Sequence, residues 1–327
     1  MKDKLGRTID NLRVSVTDRC NFRCLYCMPE GGLDWLPRAE ILSYEEIERV
    51  VGIGATLGIR KVRLTGGEPL VRRDIPQLVE KIAAVPGIED LSLTTNGVLL
   101  AEAAEGLAKA GLQRINVSLD SLTRETFIQM SRRDALDRVM AGLEAAARYF
   151  DGPVKVNAVI LRGINDHEIE HFARLARERS FEVRFIEFMP LDADKIWSRN
   201  ALVTGDEILR RIHAIHPLRE EGGGRGRSPS RDHVFEDGAG GKIGFINSVS
   251  EPFCESCNRV RLTADGKLRT CLFSLVETDL RQLLRGGADD AAIARVIENA
   301  VWRKEPGHRI NEADFVRSAR TMSQIGG

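Results

Sequence analysis

Six cysteines carry the most legible chemistry in this chain, and they fall into two triplets. Cys20, Cys24 and Cys27 form C-x3-C-x2-C. Cys254, Cys257 and Cys271 form C-x2-C-x13-C. No cysteine is left over for the core. Thiolates are soft ligands that suit zinc or iron–sulfur centres. A structural zinc takes four ligands, and each triplet supplies three. A histidine could complete such a site, and His233 is the candidate for the second triplet. The other reading is a 4Fe-4S cluster on three thiolates, with one iron open to a further ligand. For the first triplet, on the loop after the first strand, the cluster is the expected occupant. The second triplet alone leaves cluster and zinc open.

The elements that position these thiols read as a strand–helix alternation. Strand patterns occur at Leu12–Val16, KVRLT (61–65), LSLTT (91–95), RINVSL (114–119), PVKVNAVI (153–160) and FEVRFI (181–186). Ser43 and Glu46 predict a capping box for the first helix. Asp74 predicts the cap of the second, which stops at Pro86-Gly87. Helices are expected near 98–110 and over 123–147, with another capped by Asn165. Six such units imply a parallel sheet with right-handed crossovers. Buried parallel strands normally read as continuous apolar runs. These alternate instead. Val62 and Leu64 oppose Arg63 and Thr65; Leu91 and Leu93 oppose Ser92 and Thr94. Ile115 and Val117 oppose Asn116 and Ser118, and Val154 and Val156 oppose Lys155 and Asn157. Successive side chains point to opposite faces, so each strand offers one polar face. With helices on the apolar faces, the polar faces line a shared lumen. The expected class is α/β, an open and incomplete barrel around a polar ligand.

After residue 200 the texture changes. Thr204 and Glu207 predict another capping box. EGGGRGRSPSRD (221–232) reads as a flexible loop. HVFED and KIGFI flank GAGG as a hairpin, and helices are expected near 277–302. The length of 327 residues suggests two units. Lys plus Arg and Asp plus Glu are 48 each, so a broad electrostatic nucleic-acid binder is disfavoured. No apolar run approaches the roughly 20 residues of a membrane span. MKDKLGRTID does not look like a secretory or transit leader, so a cytoplasmic protein is expected. No G-x4-G-K-[ST] occurs, and GIGATLG (52–58) is not G-x-G-x-x-G. A polyphosphate would need separate Arg and Lys side chains, whose charge-assisted hydrogen bonds are strong.

CNFRCLYC, with an aromatic just before its last cysteine, resembles the signature of the radical S-adenosylmethionine (SAM) superfamily. TGGEP (65–69) resembles that superfamily's methionine-binding motif. The match then narrows. GRTIDNLRVSVTDRCNFRCLYCMP, LTGGEPLVRRDI, LTTNG, NVSLDSL, RFIEFMP, FCESCNRVRLTADGKLRTCLF and a terminal Gly-Gly run in order from residue 6 to 327. Together they are similar to one family, the GTP 3′,8-cyclases that begin molybdenum cofactor biosynthesis. The Gly/Arg-rich 221–232 stretch departs from it, because many members carry a shorter G-P-A segment there.

The resemblance implies an incomplete parallel (βα)6 barrel of radical SAM type in residues 1–200. Residues 201–327 would form an α+β region that closes the barrel. It implies two 4Fe-4S clusters, one on Cys20, Cys24 and Cys27 and one on Cys254, Cys257 and Cys271. The open iron of the first would be chelated by SAM, and that of the second would face guanine. Tyr26, Gly67, Ser118 and Met189 would contact SAM; for Tyr26 and Met189 ordinary packing is the competing account. Arg13, Arg63, Thr94, Lys155, Arg259, Val260 and Arg261 would bind GTP. The strand alternation places Arg13, Arg63, Thr94 and Lys155 in the lumen independently. Arg184 and Lys61 are weaker candidates. Arg259, Arg261 and the tail Gly326-Gly327 are implied in catalysis. The implied reaction cleaves SAM to a 5′-deoxyadenosyl radical that takes hydrogen from C3′ of GTP. The C3′ radical attacks C8, and reduction with protonation gives 3′,8-cyclo-7,8-dihydro-GTP. A flavodoxin- or ferredoxin-type electron donor, a homodimer and a downstream cyclic pyranopterin synthase are further implications. The competing readings are another radical SAM enzyme with an auxiliary cluster, such as a peptide maturase, a zinc-binding nucleic-acid module, and a protein conjugated through its Gly-Gly tail.

Overall fold

The computed structural model describes residues 1–222 and 228–326. The six expected strands form β1 (Asn11–Ser15), β2 (Lys61–Thr65), β3 (Asp90–Thr95), β4 (Arg114–Ser118), β5 (Lys155–Ile160) and β6 (Glu182–Glu187). Each is parallel to the next. Between them lie α1 (Tyr44–Thr56), α2 (Ile75–Ala83), α3 (Leu100–Lys109), α4 (Arg124–Ser131), α5 (Leu136–Tyr149) and α6 (Ile169–Arg179). The later part adds α7 (Gly205–His213), β7 (Leu218–Glu220), β8 (Arg231–Phe235), β9 (Lys242–Ile246), β10 (Arg259–Leu262), β11 (Lys267–Arg269) and β12 (Thr278–Asp279). Helices α8 (Leu280–Arg285), α9 (Asp290–Trp302) and α10 (Met322–Ile325) complete it.

All twelve strands join one sheet in the order β12-β11-β10-β1-β2-β3-β4-β5-β6-β9-β8-β7. The later strands flank both sides of the first six. β10 lies parallel to β1, and β9 parallel to β6. Hairpin partners then continue antiparallel outward, including the expected β8–β9 pair.

The alternation sorts the sheet into two faces. Leu12, Val14, Val62, Leu64, Leu91 and Leu93 are buried with Val50, Val51 and Leu78 of the helices. Burying each such side chain contributes about 1.5–3 kcal/mol. The other face is polar and surrounds a cavity of about 610 Å³.

Local expectations fared unevenly. The Ser43–Glu46 capping box is present in both directions. Thr204 accepts from the Glu207 N–H, but the Glu207 carboxylate turns to Arg162 (2.6 Å). Asp74 makes no side-chain cap; its backbone is left-handed, φ 58°. Asn165 does not cap α6 either. Its amide bonds the carbonyls of Asp120 and Val159, and its oxygen accepts from the Leu161 N–H, tying β5 to the loop after β4. The helical stretch 123–147 is two helices, broken where Arg132 takes φ 57°. The expected 221–232 loop follows β7 but ends sooner, because Arg231 and Asp232 already belong to β8; residues 223–227 lie outside the described set.

Candidate active site

Cys20, Cys24 and Cys27 sit on the loop after β1, at the C-terminal ends of the parallel strands. All three are free thiols lining the cavity. The break after α4 explains how the loop is held. Helix ends leave carbonyls without intrahelical partners. Those of Met130 and Ser131 accept from the N–H groups of Leu25 (3.0 Å) and Arg23 (3.0 Å). From the other side the TGGEP turn presses on the same loop. Gly67 N–H bonds the Thr17 carbonyl (2.8 Å) and Glu68 N–H that of Arg19 (2.8 Å). A Cβ on Gly67 would lie 2.4 Å from the Arg19 oxygen. Gly67 lines the cavity, but its missing Cβ makes room for the cysteine loop's backbone.

Glu68 anchors the turn in its place. Its buried carboxylate accepts from the N–H groups of Leu70 (2.9 Å) and Asn96 (2.6 Å) and from Thr95 Oγ1 (2.7 Å). Burial raises it to about 7 against those hydrogen bonds. Tyr26 also lines the cavity, and its hydroxyl donates to Asp120 Oδ2 at 2.7 Å. Asp120 is raised to about 6 by burial, opposed by the Val159 N–H and by Tyr26. Ser118 and Met189 complete the expected quartet on the cavity wall.

Deeper in the strands, the register gathers positive charge. Arg13 of β1 pairs with Arg261 of β10 on one side and Arg63 of β2 on the other. Burial and mutual repulsion act together on them. Arg13 is lowered well below its usual value by burial and by Arg261, Arg259 and Arg63. Arg63 falls to about 10 through burial and Arg184, and Arg261 to about 9 through burial and Arg259. The Nε of Arg13 and the Oδ1 of Asn157 are buried without a hydrogen-bond partner. Both residues line the cavity. Unpaired buried polar atoms are uncommon in proteins, and a cation row with spare donors suits a polyanion.

Thr94 is in this wall, as expected, and so are Arg184 and Lys61. Arg114 is there too, bonded to Asp90 through Nε (3.0 Å), a position that the RINVSL pattern alone does not mark. Lys155 is placed differently. It is on the predicted face, but at the strand entrance it pairs with Glu182 (2.5 Å) and is not part of the cavity wall. Arg184 shares that carboxylate through Nε at 2.6 Å. Val260 is buried on the apolar side, 1% exposed, because its neighbours Arg259 and Arg261 take the cavity side.

Cys254, Cys257 and Cys271 line the same cavity as free thiols. Arg259 reaches back to Cys257 Sγ (3.6 Å) and lies over the Phe253 ring. The two triplets differ in electrostatics. Burial and Glu68 push Cys20 up to about 12, and burial pushes Cys27 up to about 11. Burial and Asp120 push Cys24 well up. Burial also opposes ionisation of Cys257, but Arg259 and Lys304 outweigh it and bring the thiol down to about 6. His233 does not join the second triplet. It packs edge-on to Phe245 at 5.1 Å and lies outside the cavity wall. Among the described residues, no three His, Cys, Asp or Glu side chains are grouped to hold a single metal ion. Each triplet brings three thiols to the cavity wall and His233 stands apart, a donor set that suits a cluster on three thiolates.

The C-terminal segment enters this space. Met322 and Ser323 line the cavity, and Ser323 hydrogen-bonds Cys27 through backbone and side chain. The Gly326 carbonyl accepts from Arg261 Nη1. A Cβ on Gly326 would meet Thr65 Oγ1 at 2.7 Å and Ser15 Cβ at 2.9 Å. Gly327 lies outside the described residues. Glu68 and Asp120 lie inside TGGEP and NVSLDSL, but nothing in those motifs marks their buried hydrogen bonding. Ser323 and Lys304 had no sequence signal.

Residues 14–176 match the profile of the Radical SAM superfamily, and residues 181–310 that of Molybdenum Cofactor Synthesis C. The fold is similar to that of Streptococcus suis SuiB bound to precursor peptide SuiA, with a TM-score of 0.64 over 98% of this chain and 76% of that chain. At 14% identity this likeness concerns the fold alone. Fold, loop cysteines and profile together define a radical SAM enzyme, a class built on a 4Fe-4S cluster and SAM. A GTP 3′,8-cyclase of Rhodopirellula baltica is 45% identical over 99% of this chain and 91% of its own length. A GTP 3′,8-cyclase of Streptomyces coelicolor is 46% identical over 99% and 96%, and GTP 3′,8-cyclase 2 of Mycobacterium tuberculosis 47% over 99% and 91%. This chain belongs to the GTP 3′,8-cyclase family. No helix among the described residues is long and apolar enough to cross a membrane.

Proposed function

We propose that this chain converts GTP to 3′,8-cyclo-7,8-dihydro-GTP, the first step of molybdenum cofactor biosynthesis. The observation that carries the proposal is a single cavity walled by both thiol triplets and by the Arg261–Arg13–Arg63 row. Cys20, Cys24 and Cys27 hold the first 4Fe-4S cluster, and Tyr26, Gly67, Ser118 and Met189 border SAM. Cys254, Cys257 and Cys271 would hold a second 4Fe-4S cluster on the guanine side of the cavity. When bound, the first cluster and SAM would supply the one-electron chemistry, a 5′-deoxyadenosyl radical as acceptor for the C3′ hydrogen, by which C3′ becomes bonded to C8 with one further electron and one proton.

The chain's own part is binding, orientation and shielding. Arg13, Arg63, Arg259 and Arg261 neutralise the triphosphate, with Thr94 beside them. Arg184, Lys61 and Arg114 add donors on the same wall. Lys155 acts from behind, by sharing Glu182 with Arg184. The Gly326 carbonyl meets Arg261, and the Gly326-Gly327 tail assists the reaction. Residues 1–200 form the SAM-binding unit, and 201–327 the unit that carries the second cluster. The protein works in the cytoplasm as a homodimer, takes electrons from a flavodoxin- or ferredoxin-type donor, and passes its product to a cyclic pyranopterin synthase.

GTP deuterated at C3′ tests the reading under anaerobic, reducing conditions. The label is expected in 5′-deoxyadenosine, with one cyclised nucleotide formed per SAM cleaved. SAM cleavage without label transfer or a cyclised nucleotide would overturn it and favour another radical SAM substrate.

A further inference from the structure

Residues 304–308 form a strap behind the second thiol triplet. Lys304 follows α9 and is 2% exposed. Its Nζ donates to the carbonyls of Arg259 (3.0 Å) and Thr270. Arg259 stands two residues after Cys257, and Thr270 directly precedes Cys271. The next residue, Glu305, accepts from Thr270 Oγ1 (2.6 Å) and Ser274 Oγ. Gly307 abuts Cys254; a Cβ there would lie 2.9 Å from the cysteine Cβ and 3.2 Å from its sulfur. On the outer side Arg7, held by Asp3 at 2.5 Å, donates to the carbonyls of Cys254, Glu305 and Pro306. One short segment therefore meets the backbone beside Cys257 and Cys271 and the side chain of Cys254.

Lys304 is the unusual member. Among the described residues no carboxylate makes an ion pair with it, and both hydrogen-bond partners are neutral carbonyls. A buried ammonium with no carboxylate partner is costly unless another anion lies nearby. A 4Fe-4S cluster on three thiolates is net negative, and more so after gaining an electron. Cluster potentials respond to nearby charge and hydrogen bonding. Placed beside the triplet, the ammonium and the cluster would offset each other's burial.

We propose that Lys304 is a positioning residue for the second cluster: it ties the Cys257 and Cys271 segments together and holds a fixed positive charge that raises the cluster's reduction potential. The inference rests on the reading of that triplet as a 4Fe-4S site.

The test uses the full chain, reconstituted anaerobically, with Lys304→Gln and Lys304→Met. Iron and sulfide are counted, and both clusters are titrated by EPR. Wild-type protein should hold about eight irons. Lys304→Gln keeps amide donors for the two carbonyls and removes the charge. Its second-cluster potential is expected to move to more negative values, while the SAM-responsive first cluster keeps its own. Lys304→Met removes the ties as well. Iron should fall towards about four per chain, with the first cluster's signal retained as proof of folding. An unchanged second-cluster potential in Lys304→Gln overturns the inference. About four irons with one zinc in the wild-type protein would overturn the cluster reading beneath it, before any variant is made.

Discussion

At the scale of single residues, the two triplets contain thiols of opposite character. Cys20 and Cys27 are raised to about 12 and about 11 by burial, whereas Arg259 and Lys304 bring Cys257 down to about 6 despite its burial. The thiolate is the nucleophile, so these shifts become reaction rates. In cluster-free protein at pH 7, iodoacetamide should alkylate Cys257 ahead of Cys20 and Cys27. A lowered thiol pKa means thiolate above about pH 6, so the rate should fall as pH drops through 6. Arg259→Ala should slow it several-fold. Peptide mass spectrometry reads all three sites, and equal labelling would contradict the assignment. The sequence showed which residues face the cavity but not how deep each stands. Arg13 and Arg63 were legible because strand side chains alternate with period two. Lys155 obeys the same alternation, yet at the strand entrance it meets Glu182. Nothing in its spacing marks that depth. Arg114 was missed for the complementary reason, since a strand's first residue reads as solvated.

Among the elements, the cysteine loop depends on two neighbours that never touch its sulfurs in sequence. The end of α4 supplies carbonyls, and the turn after β2 supplies N–H groups. The helix break that exposes those carbonyls was not legible. It falls at Arg132 and Arg133, with no glycine or proline to announce it. The turn was legible as TGGEP, but not its reason. A methyl group on Gly67 would press within 2.4 Å of the Arg19 carbonyl, a contact backbone atoms relieve only by moving. Gly67→Ala should therefore displace the loop and destabilise the chain by about 1–3 kcal/mol, the usual range for overpacking. Iron analysis should show loss from the first triplet while the second stays loaded, and thermal denaturation should show the drop in stability. A variant with full iron at both sites would mean that the turn yields more easily than its contacts indicate.

The molecule as a whole is organised around one sheet that takes its central strands from the first part of the chain and its flanks from the last. The six central strands were readable in order, because strand–helix alternation specifies a parallel sheet. Their continuation into β9 and β10 was not. β9 reads only as half of a hairpin, and a pairing across more than 200 residues, as between β1 and β10, leaves no local trace; β10 reads only as a short run after cysteines. Separated from the rest, residues 1–200 would expose the edges of β1 and β6. Unpaired edges template association. The fragment is expected to aggregate, and the full chain to unfold in one cooperative transition by calorimetry. A soluble, cooperatively folding fragment would show that the edges are dispensable. The same pairing also sets a timetable. A chain is made from its N-terminus onward, so β1 leaves the ribosome some 245 residues before its partner β10 exists. The first three thiols are born early and wait beside an unfinished wall. The wall around them is complete only when the final quarter of the protein has been synthesised, so the shared cavity is a property of the finished chain and not of the growing one.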